Sequence, residues 1–371
     1  MILYAILSLW FFLLTVLSVR PQGVRLAEAW PRIPAQGAQR RYAFALRVLG
    51  LVSFVLLWAM TAFRSSNMGN DTEKYLLLFH QFCRDGLSFS TRYEPGYQLL
   101  NILIGRFSTD PHVFLIVCSV MMYTGVGVYL LRYSRSLPVS VCLFFTCFFS
   151  IYFSALRQAF ALVIALYVFQ AIKGRKHLLA VLLILLACSF HMTAAALFLL
   201  FLRHPVFQKR TLVLAGTLAI ALVSASGLLN GIGARLFPMY AAYFEKYALS
   251  GWLAISYNTI QYLVYYLLLT AAVRGDSEED RLVCTNFAWM LLLSAFGYAI
   301  NVLERIPQYF MMIAVVELPN ALLGRKLRHG PFWTVLICAG LLFMLLVELH
   351  FRPEWNHLYP YELWDGALVL P

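Results

Sequence analysis

The stretch that decides the fold runs from residue 137 to residue 172 and reads LPVSVCLFFTCFFSIYFSALRQAFALVIALYVFQAI. Its one charged side chain, Arg157, lies near Ser154 and Gln158 in the middle of the stretch. This polar corner separates two apolar runs, 137–153 and 156–172. A helix needs about 20 mainly apolar residues to cross a hydrocarbon core about 30 Å thick. The stretch therefore predicts two closely connected membrane helices that meet at the corner.

The composition of the whole chain agrees with a membrane location. Hydrophobic residues occupy 61% of the 371 positions and charged residues 12%, whereas a typical soluble domain is about 45–50% apolar and about 25% charged. A soluble fold could not cover its surface with so few polar side chains, but lipid solvates an apolar surface. Six of the seven Cys lie inside apolar runs, and no C-x-x-C pair suggests zinc or redox chemistry.

Further apolar runs indicate how often the chain crosses the membrane. Residues 96–107 are too short to span, and the remaining runs predict helices over 2–19, 43–63, 111–131, 211–230, 253–273, 282–300, 308–324 and 331–351. We therefore expect an all-α polytopic integral membrane protein with about 10–12 transmembrane or half-membrane helices; a GT-C-like arrangement is left open. The chain is predicted to form a single transmembrane domain over 1–371, which includes an external loop, 64–95, and an external tail, 352–371.

The basic residues predict which side of the membrane each loop faces. Nineteen of the 29 Lys and Arg fall in loops on one side of the predicted helices, and such loops are typically cytoplasmic. The net charge of +12 thus reflects topology, and no nucleic-acid partner is expected. The first run, 2–19, has its positive flank after it, which predicts a permanent helix. We predict a multi-pass protein of the bacterial cytoplasmic (inner) membrane with both termini external.

Residues 178–202 form an unusual segment. Basic residues bound it at both ends, and Ser189, Phe190 and His191 interrupt its apolar run midway. Each half has about 12 residues, which is too short to cross the bilayer alone. A single spanning helix would place the later basic loops outside. The charge distribution therefore favours a pair of half-length or tilted helices that meet near His191.

Two carboxylates follow the second predicted helix. Asp71 and Glu73 lie on the predicted external face and could act as a general base or hold a divalent cation. Alternatively, Asn70 and Glu73 form a capping box at a helix start. The apolar face from Tyr75 to Phe82 would then belong to an amphipathic helix at the membrane surface.

The segment YEPGY, residues 93–97, combines a carboxylate with a turn. Pro95 and Gly96 favour a turn, which would direct Glu94 along the membrane surface, where it could bind a polar substrate. Tyr93 and Tyr97 flank this carboxylate. The alternative is a solvated loop acid beside a helix start.

Two cationic groups lie at ends of predicted helices. Arg157 is followed by Gln158, and Arg305 lies between Glu304 and Tyr309. A guanidinium keeps its proton, so it should face a cavity or an anion. For Arg157 the alternative is snorkelling to the headgroups, and for Arg305 it is a local ion pair with Glu304.

His191 is the remaining candidate, at the interruption of 178–202. The near-neutral pKa of imidazole suits proton transfer, and broken helices at membrane depth usually line a cavity. A hydrogen-bonded structural His is the alternative. All five groups open toward the predicted external face, and the sequence contains no G-x-x-x-x-G-K-[ST] phosphate loop. We therefore expect chemistry at the outer leaflet without ATP.

The ordered set of motifs resembles the EpsG family of Wzy-like polysaccharide polymerases. The resemblance covers nearly the whole chain and departs from the family in the Arg-rich loop from Arg20 to Arg41. The residues that carry it are Asp71-Thr72 with Tyr75, Glu94-Pro95-Gly96-Tyr97, Leu156-Arg157-Gln158, Phe190-His191-Met192-Thr193, and Arg305 with Tyr309-Phe310.

This resemblance implies a membrane glycosyltransferase for exopolysaccharide, capsule or O-antigen-like polymers. Such enzymes join oligosaccharide repeat units carried on undecaprenyl pyrophosphate at the outer face of the cytoplasmic membrane. We expect a metal-independent enzyme with no cofactor. Its expected partners are the lipid-linked oligosaccharide and the bilayer, with a chain-length regulator and a flippase as further candidates.

The candidate residues fit this chemistry. Arg157 and Arg305 could stabilise the departing pyrophosphate, and His191, Glu94 or Asp71 could accept the proton of the attacking hydroxyl. The expected substrate-binding residues are Tyr75, Tyr93, Tyr97, Gln158 and Tyr309.

Two other functions are alternatives to the polymerase. A transporter or flippase of lipid-linked saccharides would favour charged residues on both sides of a central cavity and usually an internal repeat. A membrane acyltransferase that modifies glycans would need a catalytic His near the inner face with an acidic partner. The sequence shows neither pattern, so the polymerase is preferred.

Overall fold

The computed structural model describes residues 1–19, 35–88, 93–228, 235, 252–273, 277–298, 301–324, 327 and 329–366. Within these ranges the chain forms α-helices and 3₁₀-helices, with an isolated β-bridge between Arg64 and Leu363. The all-α polytopic membrane fold predicted from the sequence is thus confirmed. The first part of the Arg-rich loop, 20–34, lies outside the described residues, as do residues 229–251 apart from residue 235.

The described α-helices are numbered here in chain order. They are α1 (Ile2–Val19), α2 (Ala35–Ala62), α3 (Thr72–Asp85), α4 (Pro95–Gly105), α5 (Pro111–Tyr133), α6 (Leu137–Ser154), α7 (Leu156–Lys173), α8 (His177–Phe190), α9 (Arg210–Ala225), α10 (Trp252–Ala272), α11 (Glu278–Ser294), α12 (Pro307–Met311), α13 (Ala314–Gly324) and α14 (Gly330–Phe351). The 3₁₀-helices cover Met192–Phe201, Pro205–Gln208, Ala295–Tyr298, Asn301–Arg305 and Pro353–Trp355.

Six of the described helices are long and apolar enough to cross a membrane: α1, α2, α5, α6, α7 and α14. The segments Leu303–Met311 and Ala314–Gly324 meet at a bend of 43° and would make a seventh span if counted together. Two predicted spans are shorter than expected. The span predicted over 211–230 ends at Ala225, before Gly227 with its φ of +77°, and glycine in this region commonly terminates helices. The span predicted over 282–300 gives way to a 3₁₀ turn after Ser294.

The contacts divide the chain into two compact units, Met1–Val163 with Leu322–Pro371, and Ile164–Ala321. The single domain over 1–371 stays a prediction. In the first unit, α6 is enclosed: 78% of its span is buried, against 33% for α1, α2 and α14. These three helices and α5 pack around α6, and their outer faces carry apolar side chains that lipid would solvate.

The outer helix α1 shows how the sequence pattern produces this packing. Tyr4, Leu7, Phe11 and Leu14 are buried and recur at the three- and four-residue spacing of one helix face. The opposite face is apolar as well, so hydropathy alone could not distinguish the two. Side-chain hydrogen bonds fix the partners of such helices where the hydrophobic effect gives no preference, and here Trp10 Nε1 donates to Ser53 Oγ of α2 at 2.8 Å.

The C-terminal tail returns to the end of the first unit where α2 ends. Backbone hydrogen bonds join Ser65 to Glu362 at 2.9 Å and Trp364 to Phe63 at 2.9 Å. The Trp364 ring also stacks on His112 at 4.8 Å. The tail and the segment after α2 therefore lie at the same end of the unit, as the topology predicted; whether this end is external stays a prediction.

In the second unit, α11 packs against α9, α10 and α12. A buried side chain of α11, Asn286, donates from Nδ2 to the carbonyl oxygen of Phe310 at 2.9 Å. Phe310 lies in the last turn of α12, where carbonyl groups lack helical partners. This bond therefore supports the chain just before it bends into α13.

The segment predicted as a pair of half-length helices is a hairpin. The helix α8 and the 3₁₀-helix Met192–Phe201 pack against each other, and the ring of His177 lies 5.9 Å from that of Phe201. The two ends of the segment are thus adjacent, and His191 lies at the tip. Each arm is about 20 Å long, or about two thirds of a hydrocarbon core. The paired interpretation is confirmed.

Different periodicities shape the two arms of this hairpin. The buried positions of α8 are Ala180, Ile184 and Ala187, spaced as on an α-helical face. Those of the second arm, Ala194, Leu197 and Leu200, recur every three residues, which aligns them along one side of a 3₁₀-helix. Small residues let backbones approach closely, so alanines suit the packed face of a hairpin.

The hairpin makes a prediction about accessibility. We expect single cysteines introduced by Lys176→Cys and Arg203→Cys in a Cys-free background to react with a membrane-impermeant maleimide from the same side of the membrane. Ser189→Cys, near the tip, should not react from that side because the arms hold it about 20 Å deeper. Labelling of residues 176 and 203 from opposite sides would contradict the hairpin.

Candidate functional site

The turn that carries Glu94 is set by the proline after it. Glu94 adopts an extended conformation, with φ −65° and ψ 145°, because a residue before proline is disfavoured in the helical region. Pro95 then occupies the first turn of α4, a position that tolerates its missing N–H. The chain thus enters α4 from an extended segment, and the Glu94 side chain projects from the boundary.

The corner between α6 and α7 places Arg157 opposite this carboxylate. Ala155 leaves the helical conformation, with φ −125° and ψ 62°, and α7 begins at the next residue. Arg157 Nη1 forms a salt bridge with Glu94 Oε2, and the two side chains are 20% and 12% exposed. Because both groups are mostly shielded from water, their attraction is screened less than that of a surface pair.

Two tyrosines complete the surroundings of the guanidinium. The Arg157 Cζ atom lies 5.1 Å from the centroid of the Tyr93 ring, in the range of a cation–π contact. The Tyr75 hydroxyl of α3 forms a hydrogen bond with Arg157. The Tyr75 ring meets Tyr97 edge-on at 5.6 Å. The predicted residues Tyr75, Tyr93, Glu94, Tyr97 and Arg157 therefore lie together in one cluster, which we call the Arg157 cluster.

Burial distinguishes the members of the Arg157 cluster. Tyr97 is 0% exposed and Tyr75 is 4% exposed, whereas Tyr93 is partly accessible. Burial raises the pKa of Tyr97 well above its usual value, so it remains a neutral phenol at physiological pH. Tyr97 thus belongs to the buried side of the cluster, whereas part of Tyr93 remains accessible. Gln158 is also buried, at 3% exposure.

Gln98 is a supporting residue that the sequence did not single out. Its Nε2 donates to the carbonyl oxygens of Tyr93 at 2.7 Å and Ser88 at 3.0 Å, and its Oε1 accepts from the Ser88 N–H at 2.9 Å. Gln98 therefore ties the chain before α4 to the helix itself, and this fixes the backbone from which Glu94 projects. The signal for this role in the sequence was an amide side chain within a short apolar helix.

The structure corrects the helix start after Asn70. Asp71, not Asn70, occupies the N-cap of α3, and no side chain caps it. Asn70 instead donates from Nδ2 to the Trp355 carbonyl at 2.6 Å, and Glu73 is exposed. The predicted capping box of Asn70 and Glu73 is therefore wrong. Asp71 is partly exposed and forms no ion pair within the described ranges.

The amphipathic character of α3 is confirmed, but its apolar face does not lie against lipid. Tyr75, Leu76, Leu78, Phe79 and Phe82 are buried, and α3 packs on α4 and α5. The stacked rings of Phe79 and Phe114, 4.6 Å apart, form part of this contact. The prediction that the apolar face of α3 lies in the membrane surface is thus wrong, because other helices of the protein cover that face.

The other candidates belong to the second unit. His191 lies between the two hairpin arms, with φ −155° and ψ 110°. Near it, Thr193 Oγ1 and the hydroxyl of the buried Tyr309 are 3.1 Å apart, which joins two of the predicted motifs. Arg305 is exposed at the end of a 3₁₀-helix. The neighbouring Glu304 accepts a hydrogen bond from Asn258 Nδ2.

The predicted residues thus form two sets, one in each unit. Asp71, Gln158 and the Arg157 cluster belong to the first unit, and His191, Arg305 and Tyr309 belong to the second. Across the described ranges, no three His, Cys, Asp or Glu side chains come together as a metal site requires.

Comparison with known proteins identifies the family. The family model described as EpsG family matches residues 47–363, most of the chain. The chain belongs to the EpsG family. This membership supports a membrane polysaccharide polymerase-like role and confirms the resemblance seen in the ordered motifs. The match begins after the Arg-rich loop in which the sequence departs from the family. No curated protein and no solved structure matches the chain.

One further residue of this EpsG-family protein was missed at the sequence level. Arg64 follows α2 and is fully buried, at 0% exposure. Its Nη2 donates to the Phe153 carbonyl at 3.0 Å and to Thr72 Oγ1 at 3.4 Å, and its Nη1 donates to the Thr61 carbonyl. Thr72 Oγ1 donates to the same Phe153 carbonyl at 3.1 Å. Since this carbonyl lies in the last turn of α6, Arg64 completes the corner that precedes Arg157.

Arg64 carries its charge without a carboxylate partner among the described residues. Burial lowers its pKa to about 10, so it stays protonated at neutral pH. The signal in the sequence was a basic residue directly after an apolar span, on the side where the charge bias makes Lys and Arg less frequent.

We expect Arg64→Met to destabilise this EpsG-family protein by about 3 kcal/mol, because two helix-end carbonyls lose charged donors worth roughly 1.5–3 kcal/mol each. Arg64→Lys should restore part of the loss. Thermal unfolding in detergent would measure both. The control is Arg84→Met, because the Arg84 side chain is 79% exposed and its loss should leave the melting temperature unchanged. An unaltered melting temperature in Arg64→Met would contradict the proposed role.

Proposed function

We propose that this protein joins oligosaccharide repeat units carried on undecaprenyl pyrophosphate into a polysaccharide at the outer face of the cytoplasmic membrane. Membership of the EpsG family supports a polymerase-like role. The observation that carries the finer proposal is the Arg157 cluster, a guanidinium held at a membrane-helix corner by a carboxylate and two tyrosines.

The reaction defines what the site must supply. The oxygen of an acceptor hydroxyl forms a bond to the anomeric carbon of the donor sugar. The bond from that carbon to the diphosphate oxygen breaks, and the diphosphate leaves on its lipid with the electron pair. A base accepts the hydroxyl proton. Negative charge therefore accumulates on the leaving group, where a fixed cation lowers the barrier.

Arg157 is the cation that we assign to the diphosphate. Guanidinium pairs with phosphate oxygens through charge-assisted hydrogen bonds and keeps its proton. Its side chain remains 20% exposed, so it is accessible while Glu94, Tyr75 and Tyr93 hold it in place. A cation that is already oriented needs little reorganisation as charge develops.

Glu94 is better suited to position Arg157 than to act as the base. A carboxylate paired with a guanidinium is stabilised in its ionised form, which makes it a weaker proton acceptor. Of the three candidates considered from the sequence, Asp71 and His191 remain for the base. The partly accessible Tyr93 ring would offer a face to a sugar.

The remaining features of the proposal concern partners and cofactors. A lipid-linked diphosphate is already a good leaving group, so we propose that the enzyme works without a metal ion or cofactor. A flippase would deliver the repeat units to the outer face, and a chain-length regulator would set the size of the polymer.

The test uses a host that lacks the gene, complemented with wild type, Arg157→Ala or Arg84→Ala at equal membrane expression. We expect Arg157→Ala to abolish the ladder of polymer and to accumulate single repeat units that face outward on their lipid carrier. Removing a donor that stabilises transition-state charge typically costs about 10²–10³-fold in rate. Arg84→Ala, which alters an exposed arginine, should give a normal ladder.

Other outcomes identify the alternatives. Repeat units trapped on the cytoplasmic face would indicate a transporter, and a normal polymer without its acyl groups would indicate an acyltransferase. A full polymer ladder in Arg157→Ala would refute the role of the Arg157 cluster.

A second measurement separates positioning from base catalysis at Glu94. We expect Glu94→Gln to slow polymer formation by less than about 100-fold, which is below the usual range for removal of a general base, and to keep the shape of the pH–rate profile. The readout is the rate of polymer formation by reconstituted enzyme across a pH series. If the variant loses the acidic limb of the profile, Glu94 is the base.

A further inference from the structure

A cavity of about 480 Å³ opens in the first unit, far from the Arg157 cluster. Its walls include Arg47, near the middle of α2, whereas Arg64 follows the C-terminal end of that helix. The rise of an α-helix separates these two arginines by about 25 Å along the axis. The cavity therefore lies at the opposite end of the unit, which the charge bias predicts to be cytoplasmic.

The lining of this cavity is cationic and rich in hydroxyl groups. Arg47 and Arg135 contribute guanidinium groups, and Ser18, Ser134 and Ser136 contribute hydroxyls. None of the described residues that line it is acidic. The Ser18 hydroxyl already donates to the Leu14 carbonyl at 2.7 Å, and Ser134 Oγ pairs with Ser140 Oγ at 2.7 Å. The guanidinium groups therefore supply most of the hydrogen-bond donors and the positive charge that phosphate oxygens require.

Each of the two arginines has a close neighbour in the first unit. Arg47 donates from Nη2 to the Leu131 carbonyl in the last turn of α5, and a guanidinium carries five N–H donors. A Cβ atom built on Gly324 would lie 2.6 Å from Arg135 Nη1, so this guanidinium occupies the space that a side chain at residue 324 would need. Any side chain at Gly324 would displace Arg135 from the cavity wall.

The helix directions add to the positive potential. The 18-residue α6 begins at Leu137, and the 22-residue α14 begins at Gly330; Leu137 and Pro331 both line the cavity. Helix N-termini carry partial positive charge and attract anions. Ser136, at the N-cap of α6, makes no side-chain capping bond and lines the cavity.

We infer that this cavity binds a phosphate ester, and that its source is the headgroup of an anionic lipid. The outer face of α2 supports the lipid source, because Phe44, three residues before Arg47, is 69% exposed and Val48, directly after it, is 40% exposed. Acyl chains would lie along this face while the phosphate enters the cavity. Basic pockets between membrane helices on the cytoplasmic side suit such headgroups. The site is independent of the proposed polymerase activity.

The test measures lipid retention by native mass spectrometry after reconstitution of the full chain in vesicles of equimolar phosphatidylglycerol and phosphatidylcholine. We expect wild type to retain phosphatidylglycerol in preference. Arg47→Gln and Arg135→Gln should each reduce that retention about fivefold, since one basic residue near a lipid headgroup contributes about 1 kcal/mol. The control is Arg132→Gln, because Arg132 is exposed over the Tyr133 ring and does not line the cavity.

Further measurements distinguish the sources of the phosphate and test whether lost retention reflects misfolding. Inorganic pyrophosphate could raise the melting temperature of lipid-free wild type but not of Arg47→Gln, while phosphatidylglycerol is neither retained in preference nor stabilising. In that case the phosphate site stands and the lipid source is refuted. Gly324→Leu should lose retention while both arginines are present. The proposal is overturned if wild type retains the two lipids equally, if salt does not change that retention, and if pyrophosphate has no effect on the melting temperature. This result needs wild type alone, so it does not depend on whether the variants fold.

Discussion

The requirement that every backbone polar group find a partner away from water governs this fold. In hydrocarbon an unpaired N–H or C=O costs several kcal/mol, and a helix satisfies its own groups everywhere except at its ends. The apolar chain therefore folds as helix after helix, and each interruption needs a donor from elsewhere. The Phe153 carbonyl at the end of α6 accepts from Arg64 and Thr72. The Phe310 carbonyl at the end of α12 accepts from Asn286.

These interruptions are also where the candidate chemistry lies. Arg157 follows the corner between α6 and α7, Glu94 precedes α4, and His191 separates the two hairpin arms. A charged side chain at membrane depth is costly in a continuous apolar helix. A broken helix already has polar groups around its free ends. The same constraint that breaks the helices therefore creates the polar surroundings that catalysis on a lipid-linked diphosphate would use.

The two ends of the first unit hold arginine in different settings. In the Arg157 cluster, a carboxylate and aromatic rings surround the cation and fix its orientation. In the cavity beside α6 and α14, two arginines share walls without an acidic lining residue. The first arrangement suits a cation that must be oriented toward developing charge, and the second suits the binding of an anion that stays unchanged. Arginines thus lie at both ends of a single helical unit, and the two sites that we propose would use them for different purposes.

The sequence by itself determined the membrane location, most helical segments, the hairpin of 178–202 and the family, because hydropathy, charge bias and motif order are local properties of the chain. It also placed Glu94 and Arg157 among the candidates. Only the tertiary structure decided that these two side chains pair across 63 residues, that Tyr97 is buried beneath them, that protein covers the apolar face of α3, and that Arg64 closes the corner. The faces of a uniformly apolar helix look alike in sequence, and only packing shows which of them meets protein and which meets lipid.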